Sequence, residues 1–207
     1  MRVLMVGATG RYAHLVVPEL VKRGVAVRAL VRSEQRAEVA RANGATDTVI
    51  GDLSDPRSLA AAVAGLDGVF HIGPAFAPNE AELGVAMVDA ARAAGVRKFV
   101  FSGVIHPSIS AMVNHRAKVP VEEALYTSGM DFTVLQPAAF MQKHGADLGR
   151  DRRTWSAGDA VLGVFQDVLG GLPRRRRGGG GRDDGRRIEL RHIRTVRTPA
   201  ASGMSYE

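Results

Sequence analysis

Short apolar runs alternate along this chain with stretches in which apolar positions recur every three or four residues, and the alternation continues to about residue 142. The runs Arg2–Val6, Val25–Val31, Thr46–Ile50, Gly68–Ile72, Lys98–Ser102 and Phe132–Gln136 are rich in β-branched and aromatic residues and predict six strands. Helices are predicted between them. Leu15, Val16, Leu20 and Val21 recur at helical spacing, with Pro18 where it should remove a hydrogen bond and kink the helix, and Gly24 as the stop. Ser33 caps a helix through about Ala42, and Asp55 with Pro56 opens one that continues over Leu59–Ala64. Glu80–Ala94 is Ala-rich and closed by Gly95, and Lys118–Ser128 is stopped by Gly129.

Strands separated by helices of this length pair in parallel through right-handed crossovers, so the predicted fold class is α/β, a doubly wound parallel sheet of Rossmann type. In such a sheet the ligand lies at the carboxyl ends of the strands. The loops after Val6, Val31, Ile50, Ile72, Ser102 and Gln136 should therefore converge on the site.

The first of these loops carries the most specific chemistry. Gly7-Ala-Thr-Gly-Arg-Tyr-Ala13 joins a strand directly to a helical pattern. Gly7 permits the sharp turn, Gly10 lets backbone approach a pyrophosphate, and Ala13 is small enough for close helix–strand packing. Thr9, Arg11 and Tyr12 complete the loop, which is expected to bind a dinucleotide. At the end of the second strand, where an NAD site keeps an acid for the ribose 2′-OH, this chain has Arg32. With Arg11 opposite it, a 2′-phosphate would meet two guanidinium groups, and NADP(H) is expected to be preferred over NAD(H).

Composition changes this picture only at the end of the chain. The net charge is +7, but residues 171–207 hold ten Arg against Asp183, Asp184, Glu189 and Glu207, which leaves the remainder close to neutral. Cysteine is absent, so disulfides and thiol chemistry are excluded. No apolar run has membrane-spanning length and no secretory leader is legible, so a cytoplasmic protein is expected. His106, His115 and His144 are scattered without metal-ligand spacing, and no metal site is expected.

Gly7-Ala-Thr-Gly10, Leu30-Val-Arg32, Gly51-Asp-Leu53, the Gly95 to Ser102 segment, Lys118-x-x-x-Glu122, Ser128 to Thr133 and Gln136 to Met141, in that order and spacing, resemble the NmrA-like family of atypical short-chain dehydrogenases over residues 1–142. The resemblance implies NAD(P) binding, in enzymes that reduce quinones or dyes and in proteins that only sense the redox state of the cofactor. It also implies that Asp52 and Leu53 flank the adenine, that Ile72 and Gly73 pass the nicotinamide ribose, and that Pro137 to Phe140 lie near the nicotinamide. Lys118 is implied to hold the nicotinamide ribose; its bland alternative is a surface pair with Glu122 one turn on.

Two departures from the family stand out. Carbonyl-reducing short-chain dehydrogenases need a Tyr four residues before the Lys to donate a proton, and position 114 is Asn. Ser102 and Lys118 remain as catalytic candidates without that phenol, and hydride transfer to an acceptor that takes its proton from water remains open. The second departure is the end of the chain. Residues 1–142 form the cofactor domain, 143–172 a remnant of a substrate-binding region, and 173–207 an Arg/Gly-rich tail that is expected to be disordered. An Arg/Gly tail could also contact nucleic-acid phosphates, or arise from an altered reading frame near residues 166–172.

The function expected is an NADPH-dependent oxidoreductase passing hydride to a quinone-like or other small electrophilic acceptor. The alternative is a redox-sensing regulator that binds NADP(H) and a protein partner.

Overall fold

The computed structural model describes residues 1–11, 13–137 and 193–198, the last as backbone only. Six strands run parallel: β1 (Arg2–Val6), β2 (Ala26–Val31), β3 (Asp47–Ile50), β4 (Gly68–His71), β5 (Lys98–Ser102) and β6 (Asp131–Pro137). Their order is β3-β2-β1-β4-β5-β6. The chain therefore steps outward from β1 to β3, then returns to lay β4 against the other side of β1, with Val3 in register with both Val27 and Gly68. Connections diverge between β1 and β4, and a crevice opens there at the carboxyl ends of the strands.

Period-two alternation sorts the strand residues onto two buried faces. Val3, Met5, Val27, Ala29, Phe70 and Val100 pack with Val17, Leu20, Ala37 and Ala40. The latter come from helices α1 (Val16–Lys22) and α2 (Glu34–Ala42). Leu4, Val6, Val69, Phe99, Phe101, Phe132 and Val134 face the opposite way, toward Leu59, Met87, Val88 and Leu125. Those belong to α3 (Pro56–Val63), α4 (Glu80–Ala93) and α6 (Val119–Tyr126). Gly84 lets α4 approach α6 closely, since a Cβ there would overlap the side chain of Val121.

Caps follow the expected chemistry: Ser33 accepts from the Arg36 amide at 3.3 Å, and Asp55 from the Arg57 amide at 3.0 Å, with Pro56 opening its helix. Pro18 departs from expectation. A 3-10 turn over Ala13–Leu15 precedes α1, so the α-helix starts only at Val16 and Pro18 falls in its first turn. An amide at that position has no partner to lose, and no kink is needed. The expected helix over Lys118–Ser128 is α6, shorter at both ends. A short α5 (Val113–Arg116) ends first, and Lys118 sits at the N-cap of α6 rather than inside it.

The edge of the sheet was not legible. Residues Ile193–Thr198 form β7, antiparallel to β6, pairing Pro137 with Ile193 and Phe132 with Thr198. These six residues fall within the Arg/Gly-rich segment expected over 173–207, where no strand was predicted. Ile-Arg-Thr-Val-Arg-Thr is rich in β-branched types, and β6 otherwise presents an unpaired edge that accepts such a segment. The rest of the tail, and the 143–172 segment, lie outside the described residues. Among the described residues no helix is long and apolar enough to cross a membrane.

Candidate active site

The glycine loop is fixed by its contact with β4. Gly7 has φ of 82°, and a Cβ on it would stand 2.8 Å from the Ile72 carbonyl oxygen, so no larger residue fits. Its own carbonyl accepts from the Gly10 amide at 2.6 Å, which turns the chain back over the end of β1. A cleft of about 750 Å³ opens above this turn. Gly7, Thr9, Gly10 and Arg11 line one side of it. Arg32, Asp52 and Leu53 line a second, from the loops after β2 and β3. Ile72, Gly73, Ser102, Lys118 and Pro137 line the third, from the loops after β4, β5 and β6 and from the start of α6. Every expected cofactor or catalytic residue in the described part of the chain therefore meets in one cavity. Tyr12 and Phe140 lie outside the described residues.

Local bonds aim these groups. The Asp52 carboxylate accepts from the Ser54 hydroxyl at 2.7 Å and from its amide at 2.8 Å. These bonds, with a smaller contribution from the Arg32 guanidinium, hold its carboxyl below the usual range. The loop after β5 is tied to β6: the Gly103 amide donates to Leu135 O at 2.8 Å and the Ile105 amide to Pro137 O at 3.1 Å. Pro137 is thus the last residue of its strand, where its missing N–H costs nothing and its carbonyl is used.

Lys118 is not paired with Glu122. Its ammonium donates to Glu80 Oε1 on α4, and both side chains are buried. The second oxygen of Glu80 accepts from the Phe76 amide at 2.9 Å. Glu122 turns instead to Gln136, whose Nε2 stands 3.2 Å from each of its oxygens. Burial raises the Glu122 carboxyl above its ordinary range, opposed by that amide. Lys118 also lies 5.9 Å from the centre of the Phe101 ring. Stacked on the same ring at 5.8 Å is His71, fully buried and with Nδ1 unpartnered among the described residues. Burial, and secondarily the Lys118 charge, push this imidazole down to about 3, so it is neutral.

Sequence reasoning missed four contributors. Arg36, in the first turn of α2 just beyond Arg32, also lines the cleft, and a second Arg soon after the Ser33 cap was the signal that could have found it. Glu80, Phe76 and His71 carry no local signal, because their importance lies in contacts distant along the chain. Asn114 lines the cleft at the place a catalytic Tyr would take, and its buried Oδ1 has no partner among the described residues. His115 is satisfied through Nδ1, 3.0 Å from His106 O, and His144 lies outside the described residues. No group of side chains able to hold a metal ion occurs among the described residues.

The comparisons agree with this architecture. An NAD(P)H azoreductase from Xenophilus azovorans is 36% identical over 141 residues, 68% of this chain and 49% of that protein. Photosystem II assembly factor Ycf39 from Cyanophora paradoxa is 31% identical over 183 residues, 82% of this chain and 56% of its own. Among solved structures, the Citrobacter triphenylmethane reductase complexed with NADP(H) is similar at 25% identity and a TM-score of 0.62, covering 69% of this chain and 51% of that one. The chain spans about half the length of the curated relatives it matches. The model of the NmrA-like family matches residues 1–148, taking in all six parallel strands and every loop that forms the cleft, and the chain belongs to that family.

Proposed function

We propose that this protein binds NADP(H) in the cleft and passes hydride to a small electrophilic acceptor, a quinone or a conjugated dye. The observation that carries this is the convergence of the Gly7–Gly10 turn, Arg32 with Arg36, and Lys118 on one cavity. The residues fit the cofactor. A Cβ at Gly7 would meet the Ile72 carbonyl oxygen and one at Gly10 the Gly7 carbonyl oxygen, so both glycines keep the tight turn that a pyrophosphate approaches, and Asn114 Oδ1, without a partner among the described residues, suits a ribose hydroxyl or a carboxamide. Arg32 and Arg36 match a 2′-phosphate. Lys118, oriented by Glu80, lines the same cleft from the start of α6 and would hold the nicotinamide ribose.

When bound, the nicotinamide supplies a hydride. The chain's own part is to bind, orient and exclude water. With Asn at position 114 no side chain there can donate the proton that an alkoxide requires, which favours acceptors protonated by water once reduced. The azoreductase and dye-reductase relatives support this acceptor class. Melting curves with NADPH, NADH and neither test the binding, since a ligand at a hundred times its Kd adds about 2.7 kcal/mol. Consumption of NADPH with a quinone and an azo dye tests turnover. No shift with either cofactor would overturn the proposal.

A second reading has its own support, the likeness to a photosystem II assembly factor. On that reading this chain binds NADP(H) and answers to a protein partner without turnover. Tight cofactor binding with no consumption across quinones and dyes would select it.

A further inference from the structure

Phe76 is held where folding gains nothing by holding it. Its φ of 68° lies in the left-handed region, which a bulky residue occupies at a cost of order 1–3 kcal/mol. The residue is 76% exposed, so little packing offsets that cost. The conformation persists because its amide is bonded to Glu80 Oε2 at 2.9 Å, while the neighbouring Ala77 amide closes a turn onto Pro74 O at 3.0 Å. Glu80 is itself 3% exposed and neutralised by Lys118. Burying an ion pair is expensive, and this one fixes the backbone under an exposed aromatic residue that lines the cleft together with Gly73 and Asn114.

We propose that Phe76 is the aromatic wall of the acceptor subsite, against which a flat conjugated ring system stacks, and that Glu80 is the positioning residue that ties this wall to Lys118. The inference rests on the cleft being the cofactor and acceptor site. It adds the selecting feature. Ring stacking rewards planar, extended acceptors over compact ones, so the subsite favours fused or multi-ring quinones and dyes.

Phe76→Gly separates this role from a structural one, because glycine relieves the left-handed strain. The variant should melt higher than the wild type and yet bind menadione, a two-ring quinone, about tenfold more weakly. Calorimetric titration of the full chain with menadione, with and without NADP⁺, reads the second effect. Phe76→Tyr should retain menadione affinity, and NADPH affinity should be unchanged in both variants. Menadione affinity within twofold of wild type in Phe76→Gly, no binding of menadione to the wild type, or an equal fall in NADPH affinity would each overturn the proposal. A wild type that binds menadione but not NADPH would instead overturn the cofactor assignment, and the Phe76→Gly effect would still be read from the titration without NADP⁺.

Discussion

Lys118 and Glu80 form an ion pair sealed from solvent, joining the start of α6 to the start of α4 across 38 residues of chain. Removing one member leaves a buried charge alone, which typically costs about 3–5 kcal/mol. Lys118→Met or Glu80→Leu alone should therefore lower stability strongly, while the double variant should recover most of the loss. Cofactor affinity should behave differently: if Lys118 also reaches the ribose, the double variant stays about tenfold weaker for NADPH despite its recovered fold. Chemical unfolding and NADPH titration on the same three proteins check this, and full recovery of affinity would make the pair purely structural.

Arg32→Ala should reduce NADPH affinity by about tenfold or more while leaving NADH affinity within twofold, because only NADPH brings the phosphate that the guanidinium pairs. Arg36→Ala should act in the same direction but less, being set back on α2. Equal NADPH and NADH affinities in the wild type would refute the assignment of the phosphate to this loop.

His71 makes stability pH-dependent. Its folded value of about 3 lies below the ordinary 6.5, so as pH falls past 6.5 the unfolded chain takes the proton first. The stabilisation is complete above that point and is lost progressively toward pH 3, at up to about 1.4 kcal/mol per pH unit. Glu122, raised by burial, works in the opposite sense, losing its contribution as pH rises. Urea unfolding of wild type and His71→Phe between about pH 7.5 and 5.5 isolates the imidazole: the wild type should weaken more steeply than the variant. Parallel curves would show that the ring is not the source.

Truncation after Leu172 removes β7 and leaves the outer edge of β6 unpaired. The cleft is built from the loops after β1 to β6, so NADPH affinity should be unchanged. The bare edge should instead promote self-association, seen as light scattering that rises with protein concentration. A large loss of cofactor affinity would mean that the edge strand supports the site.

How much of this was legible follows the range of each interaction. The turn at Gly7, the cap at Asp55 with Pro56 and the alternation of Val3, Leu4, Met5 and Val6 are local, and periodicity exposes them. The Lys118–Glu80 pair was not legible because the only acid at a pairing distance along the chain is Glu122, whereas the partner is on another helix. Pro18 misled because the 3-10 turn that shifts the start of α1 leaves no mark in the pattern. β7 was missed because a strand that completes an edge depends on the edge more than on itself.

Gly84 has a consequence beyond the core it occupies. It sets the spacing of α4 against Val121, and Glu80 and Lys118 each stand about one turn before the packing point, at the starts of these two helices. A methyl group at position 84 would act as a shim, prising apart the two helices whose first residues meet at the cleft. Packing in the interior and reach at the mouth are thereby one tolerance, and a substitution that never touches a ligand can detune the site through the gap it opens.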